Sequence, residues 1–207
     1  MSTRTGDPVT NITFKADELR RLLANASLFA CKDDTLPSIC VVHFTWDHNQ
    51  LFAVATNRYI FAWEESFPVQ SKGRGSFSVS VKGDVKRILA MLPKKTEYRP
   101  EHEVTVEYDA EARQATFTFE GNAVKVSTEC GEFPRNWRRF SEGFIYGPRD
   151  GISFNATFLA LFAKVETEES DPNNTVRLAF QEGNKPSLVS KGEHFSAVLI
   201  PVRAAGS

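Results

Sequence analysis

A chain of 207 residues and 23.2 kDa is long enough for one large domain or two small ones. Apolar residues make up 41% and charged residues 25%, a globular composition, and a fold of this size buries roughly 70% of its unfolded surface without a disulfide or metal staple. A net charge of −1 and a pI near 6.4 exclude a histone-like basic protein but leave room for a local basic patch.

The first predicted element is a strand over residues 11–14. A helix follows, with Leu19, Leu22, Leu23 and Ala26 at i, i+3, i+4 and i+7, one apolar face of a helix. Strand-like runs with near period-2 alternation come next, over residues 39–46, 51–56 and 59–65, with turns at 47–50 and 57–58. The same order then recurs. A strand over 77–81 precedes a helix carrying Val85, Ile88, Leu89 and Leu92; strands over 103–108, 115–120 and 123–128 follow, with turns at 109–113 and 121–122. A third copy has a strand over 152–154 and a helix carrying Phe158, Leu161, Phe162 and Val165. Its later strands cover 176–180, 187–190 and 195–202, with turns at 182–184 and 191–193.

The unit is therefore strand, helix and three strands, three times over, with strand ends Phe14, Val81 and Phe154 spaced 67 and 73 residues apart. Many strands and few helices predict an α+β fold with mainly antiparallel sheets. Residues 68–75 and 131–150 read as linkers, and 166–174 as an acidic, solvated loop. The division is a complete two-unit domain over 1–140, with units over 9–66 and 75–130, and a half domain over 141–207. Seventeen Phe residues predict an aromatic-rich core.

The residues after the first apolar anchor of each helix are predicted to point away from the sheet. They are Arg20 and Arg21 in the first helix, Lys86 and Arg87 in the second, with Lys82 at its start, and Leu159 and Ala160 in the third. The paired cations are either solvated helix faces or a phosphate-tracking, sequence-independent surface. Leu159 is either a covered oligomer interface or one tolerated exposed Leu.

Chemistry has little support. Cys31, Cys40 and Cys130 are scattered, which argues against structural zinc and for free thiols in a reducing compartment. His43, His48, His102 and His194 are dispersed, and no nucleophile elbow, phosphate loop or dinucleotide fingerprint occurs. No enzyme activity, metal or cofactor is expected. Residues 1–10 are polar and include Pro8, unlike a signal peptide, and no apolar run approaches the ~18 residues of a membrane span. The asparagines of four Asn-x-Ser/Thr triplets, Asn11, Asn25, Asn155 and Asn173, read as chance.

Four passages together resemble the bacterial replicative sliding clamp, the β subunit of DNA polymerase III. Phe14 to Leu23 followed by Leu36-Pro37-Ser38-Ile39 resembles the opening of a clamp domain. Ala55-Thr56-Asn57-Arg58-Tyr59 is similar to the family's Ala-Thr-Asp-x-x-Arg-Leu turn, with Ile60 where Arg is common. Gly131-Glu132-Phe133-Pro134, continued by Trp137-Arg138-Arg139-Phe140, resembles the family's Gly-x-Phe-Pro-x-Tyr-Arg-Arg linker with one extra residue. Val198-Leu199-Ile200-Pro201-Val202-Arg203 resembles its closing Met-Pro-Met/Val-Arg.

The resemblance implies a DNA-clamp fold, with antiparallel sheets outside and helices inside a ring. It further implies a processivity factor that encircles duplex DNA and tethers a DNA polymerase, with a clamp loader as a possible further partner. The family ring has six domains of two units each; three units per chain make a homotetramer the favoured ring, with a dimer or trimer as alternatives. The DNA-facing cations carried over are Arg20, Arg21, Lys32, Lys82, Lys86 and Arg87. The partner-peptide pocket carried over is walled by Thr56, Tyr59 and Phe61; by Pro134, Arg139 and Phe140; by Leu188; and by Val198, Leu199, Ile200, Pro201 and Val202. Tyr59 and Phe140 replace smaller family residues and would reshape it. The expected location is the bacterial cytoplasm, and the short form fits a phage or mobile-element origin. The competing reading is a clamp-fold adaptor or inhibitor that binds replication or transcription proteins without encircling DNA.

Overall fold

The repeated pattern folds into antiparallel sheets with helices on one side, in a computed structural model that describes residues 9–134, 136–141, 152–168, 174–181 and 185–202. Strand β1 (Val9–Lys15) leads into helix α1 (Ala16–Phe29), followed by β2 (Val41–Asp47), β3 (Gln50–Thr56) and β4 (Ile60–Ser66). The second unit is β5 (Arg74–Ser80), α2 (Asp84–Met91), β6 (Glu103–Asp109), β7 (Gln114–Phe119) and β8 (Asn122–Ser127). The third is α3 (Ala156–Phe162), β9 (Arg177–Ala179), β10 (Ser187–Lys191) and β11 (Phe195–Leu199).

The helices form where the apolar stripe repeats. Leu19, Leu22, Leu23 and Ala26 are buried along α1, whose first turn carries Asp17 and Glu18 at the positive end of the helix dipole. Val85 and Ile88 are buried along α2, and Phe162 along α3. The Asn155 side chain caps α3 by accepting the Thr157 N–H at 2.9 Å. At the β3–β4 turn, Asn57 Oδ1 accepts the N–H groups of Tyr59 and Ile60 while Arg58 takes a positive φ of 79°.

The units do not close their own sheets. β1 of the first unit pairs with β6 of the second, and β5 of the second pairs with β2 of the first. This gives a four-stranded sheet β1-β6-β7-β8 and a seven-stranded sheet β5-β2-β3-β4-β11-β10-β9. The two exchanges share one register: Val9 lies opposite Asp109 and Lys15 opposite Glu103, as Arg74 lies opposite Asp47 and Ser80 opposite Val41. Phe14 therefore matches Val79, two residues before the Val81 that sequence spacing selected. The third unit joins the first through β4 and β11, where Glu64 faces Phe195 and Ile60 faces Leu199.

One core lies between helices and sheets. It takes Phe14, Leu19, Leu22, Leu23 and Phe29 from the first unit, Ile88, Val104, Val106 and Phe117 from the second, and Phe162, Val189, Phe195 and Leu199 from the third. Phe29 packs on Phe162 and Phe195 with ring centroids 5.2 and 5.4 Å apart, tying α1 to the third unit. A second cluster lies on the opposite sheet face, around Val54, Phe61, Phe133, Trp137 and Val198.

Three sequence expectations need correction. Residues 152–154 belong to no sheet, although their counterparts β1 and β5 do. β11 stops at Leu199 rather than running to 202, because Pro201 has no N–H for a ladder. Ile39 ends a 3-10 turn, Pro37–Ile39, and the strand starts at Val41. Among the described residues no helix is long and apolar enough to cross a membrane.

Candidate nucleic-acid interface and partner groove

The helix layer separates the six expected DNA-facing cations into two groups. Lys82, Lys86 and Arg87 are exposed at the start and on the outer face of α2, because Val85 and Ile88 turn the opposite face into the core. Lys32 is exposed in the loop after α1. An ion pair from Lys82 to Asp34 brings that loop against the α2 start, so Lys32 and Lys82 belong to one surface. Arg87 pairs with Asp84 at 3.2 Å and donates to the Lys125 carbonyl at 3.5 Å. Both ion pairs are exposed and of the kind worth ~0–1 kcal/mol, so a phosphate could displace either carboxylate. Asp33, Asp34 and Asp84 stand among the four cations, so the local charge is only slightly positive.

Arg20 and Arg21 depart from the expectation of an outward face. Arg20 turns sideways to α2, and its guanidinium donates to the carbonyls of Leu89 and Pro93 at 3.0 Å and of Leu92 at 3.2 Å. It satisfies the end of a helix followed at once by Pro93. Arg21 is 8% exposed and turns inward to Glu64 at 3.2 Å and Glu168 at 2.7 Å. Both lie on the flanks of α1, Arg20 toward α2 and Arg21 toward β4 and Glu168. Flank positions face neighbours rather than solvent wherever a helix is packed on both sides.

Arg21 belongs to a polar cluster beneath the β4–β11 seam that the sequence reading missed. Asn25 donates to Glu64 at 2.8 Å and to the Glu166 carbonyl at 2.9 Å, and accepts the Glu166 N–H at 2.9 Å. Burial pushes the Glu64 carboxyl above its ordinary range, against the pull of Arg21 and of the Asn25 hydrogen bond. Lys191 is also buried; its ammonium donates to the carbonyls of Phe162 at 3.2 Å and Val165 at 2.8 Å and to the Asn174 side chain. The sequence signal was present: Glu64 shares strand parity with the core residues Ile60 and Ala62, and a charge at an inward position needs a buried partner.

The expected peptide-pocket residues fall on three sides of the β4–β11 junction. Thr56 is buried, donates to the Ile60 carbonyl at 2.8 Å and accepts the Arg58 N–H, so it fixes the turn. Phe61, Leu188 and Val198 share the outer sheet face, since Leu188 faces Val198 and Val198 faces Phe61 in the ladder. Tyr59 is exposed and stacks on Phe158 with centroids 5.5 Å apart. Ile200 and Val202 are exposed, with Pro201 half-buried between them. Pro134 and Arg139 are exposed on the linker, while the Phe140 side chain lies outside the described residues. Leu199 is corrected: alternation sends it to the helix-side core, where it is fully buried. Leu159 is exposed on α3, on the opposite side of the sheet from Phe61 and Val198.

The linker contributes more than its motif suggested. Phe133 and Trp137 are buried against the outer face. Trp137 packs on Phe52, Phe61 and Trp63 at 5.4, 6.1 and 6.2 Å, and Arg138 lies 4.8 Å above the Trp137 ring. Phe133 stacks on His43 at 4.5 Å and 6°, and His43 Nδ1 lies 2.9 Å from Ser78 Oγ. Burial lowers the His43 pKa to about 4, which keeps the ring neutral. These two aromatic side chains cover the outer face over β2, β3 and β4, and Phe61 is buried beneath them.

No group of His, Cys, Asp and Glu among the described residues is placed to hold a metal ion. Cys31 and Cys40 are buried thiols, and burial pushes Cys40 up to about 11, which keeps it unreactive.

The fold matches solved DNA polymerase III β subunits. The Thermotoga maritima protein aligns with a TM-score of 0.74 at 18% identity, over 99% of this chain and 68% of that one. A putative β subunit from Eubacterium rectale aligns at 0.78 and 14% identity, over 94% and 66%. The Streptococcus pyogenes polymerase β subunit aligns at 0.71 and 17%, over 99% and 68%. The chain thus spans about two thirds of the length of these neighbours. No family model and no curated protein matches it.

Proposed function

We propose that this protein is a DNA sliding clamp, a replication processivity factor without chemistry of its own. The carrying observation is a clamp fold whose helices form one layer, with Lys32, Lys82, Lys86 and Arg87 exposed on its open side. Phosphate contacts from such cations hold a duplex without reading its sequence, which a sliding ring requires. The near-neutral surface suits this role, because a closed ring retains DNA by topology rather than by affinity. The favoured ring is four copies of the chain.

The partner site proposed is the outer face at the β4–β11 junction, where half-buried Leu188 lies over the buried Phe61 and Val198. Tyr59, Ile200, Pro201 and Val202 lie at one end of it, and Pro134 and Arg139 are exposed on the linker. A short apolar peptide of a polymerase, or of a loader, would bind there.

The test is retention on circular against linear duplex, for the parent and for a variant with Lys82→Gln, Lys86→Gln and Arg87→Gln. A clamp stays on circles and runs off linear ends. Each lost phosphate contact should also reduce the salt slope of binding by roughly 0.9. Equal behaviour on both DNAs, unaffected by the three substitutions, would instead establish an adaptor that never encircles DNA. The sparse charge around Asp33, Asp34 and Asp84 is the observation that keeps that second reading in view.

A further inference from the structure

The first two units complete each other by exchanging the strand before the helix, and among the described residues the third unit exchanges no such strand. Its donor segment, Ile152 to Phe154, belongs to no sheet. Its acceptor, β9, is the last strand of the seven-stranded sheet. The linker between β8 and Ile152 holds fewer residues than any one of the units, so no fourth unit fits there.

The donor segment is nevertheless already set in the geometry of a donor strand. In the first unit, Thr13 exchanges hydrogen bonds with Gln70, at 2.7 and 3.3 Å, on the side of β1 away from β6. In the third unit, the Ser153 carbonyl accepts the Val202 N–H at 2.8 Å. Ser153 matches Thr13, because Phe14 and Phe154 both pack on the helix-side core two residues before their helices begin. Antiparallel pairing alternates direction, so Ile152 and Phe154 aim their backbone groups the other way, as Ile12 and Phe14 do toward Val106 and Val104.

We propose that two copies of this chain complete one domain by reciprocal strand exchange, Ile152 to Phe154 of each copy adding to β9 of the other. The register follows from the repeat. Trp46 pairs with Leu51 and Tyr108 with Ala115, and continuing the β9–β10 register puts Phe180 opposite Ser187; Val42, Val104 and Val176 lie four residues earlier. Phe14 lies opposite Val104, so Phe154 faces the partner's Val176, and Ile152 faces the partner's Leu178. Both pairs are apolar, and Val176 is 38% exposed in the single chain.

The helices supply a second, independent argument. Arg20 is the α1 residue that crosses to the sibling helix α2, and Leu159 follows the anchor Phe158 as Arg20 follows Leu19. Leu159 therefore projects at the seam where α3 would meet its symmetry mate, and an apolar side chain there suits a neighbour of identical sequence. A two-fold exchange is closed and isologous, so it cannot run on into fibres. It also covers an edge strand that would otherwise template aggregation.

This interface rests on the ring reading for its role and on the sheet register for its geometry. Ser153 and Arg177 become a non-hydrogen-bonded cross-strand pair, with Cα atoms about 4.5 Å apart, near enough for a disulfide. The full chain carrying Ser153→Cys is mixed with the full chain carrying Arg177→Cys, without DNA, in a glutathione redox buffer. The expected product is a covalent dimer of twice the 23.2 kDa chain mass, formed by the mixture and by neither variant alone. In parallel, Val176→Lys should at least halve the mass measured by light scattering while leaving the circular dichroism unchanged. No cross-link, or a mass unaffected by Val176→Lys, overturns the exchange. Retention on circular DNA without cross-linking removes this interface and leaves the clamp standing. Cross-linking without retention keeps the interface and removes the clamp.

Discussion

Replacing Arg20 by Met separates a structural cation from a DNA-binding one. The substitution keeps most of the aliphatic stem and removes three hydrogen bonds, to the carbonyls of Leu89, Leu92 and Pro93. A hydrogen bond to a charged group contributes roughly 1.5–3 kcal/mol, and a cation at a helix C-terminus a further ~0.3–1 kcal/mol. The three bonds share one guanidinium and are not additive, and water reaches the half-buried site. The expected loss is therefore about 2–4 kcal/mol rather than the sum. For a chain of this length that lowers the melting temperature by very roughly 4–16 °C, at about 2–4 °C per kcal/mol. Urea unfolding and calorimetry measure the loss directly. The salt slope of DNA binding, taken on the same sample below its transition, should equal that of the parent. A stable variant with a weaker salt dependence would refute the reasoning and return Arg20 to the DNA-facing set.

Trp137→Ala should destabilise by about 3–5 kcal/mol, as expected for removing a buried aromatic, and Trp137→Phe by much less. Chemical denaturation checks this, and a loss under 1 kcal/mol would mean the linker is not anchored on the sheet. His43 makes stability depend on pH. Its pKa is about 4 folded and 6.5 in the reference state, so its contribution is fully present above 6.5 and is lost as pH falls toward 4. The difference amounts to about 3 kcal/mol near pH 4. Glu18 and Glu64, both raised by burial, act in the opposite sense, being most favourable at low pH. The measurement is thus the difference between parent and His43→Gln unfolding free energies across pH 4.5 to 7.5; a constant difference would show that His43 is not buried as a neutral ring.

The sequence by itself determined the repeat, the helices and nearly every strand, because each rests on a local period. Leu19, Leu22, Leu23 and Ala26 specify a helix face wherever that helix docks, and alternation from 41 to 47 specifies a strand whatever its neighbour. The four clamp-like passages were legible for the same reason, each being a continuous run. Tertiary structure alone decided which unit each strand serves. Nothing within residues 9–15 says that β1 pairs with β6 rather than β2, since backbone pairing carries no label until the whole sheet is assembled. It alone decided the fates of Arg20 and Arg21, whose neighbours α2 and β4 lie far away in the chain. It also showed that Phe133 and Trp137 fill the outer face while Leu199, expected in the peptide pocket, lies in the core. Burial of a side chain depends on what packs over it, and for these residues that neighbour lies far off in the chain.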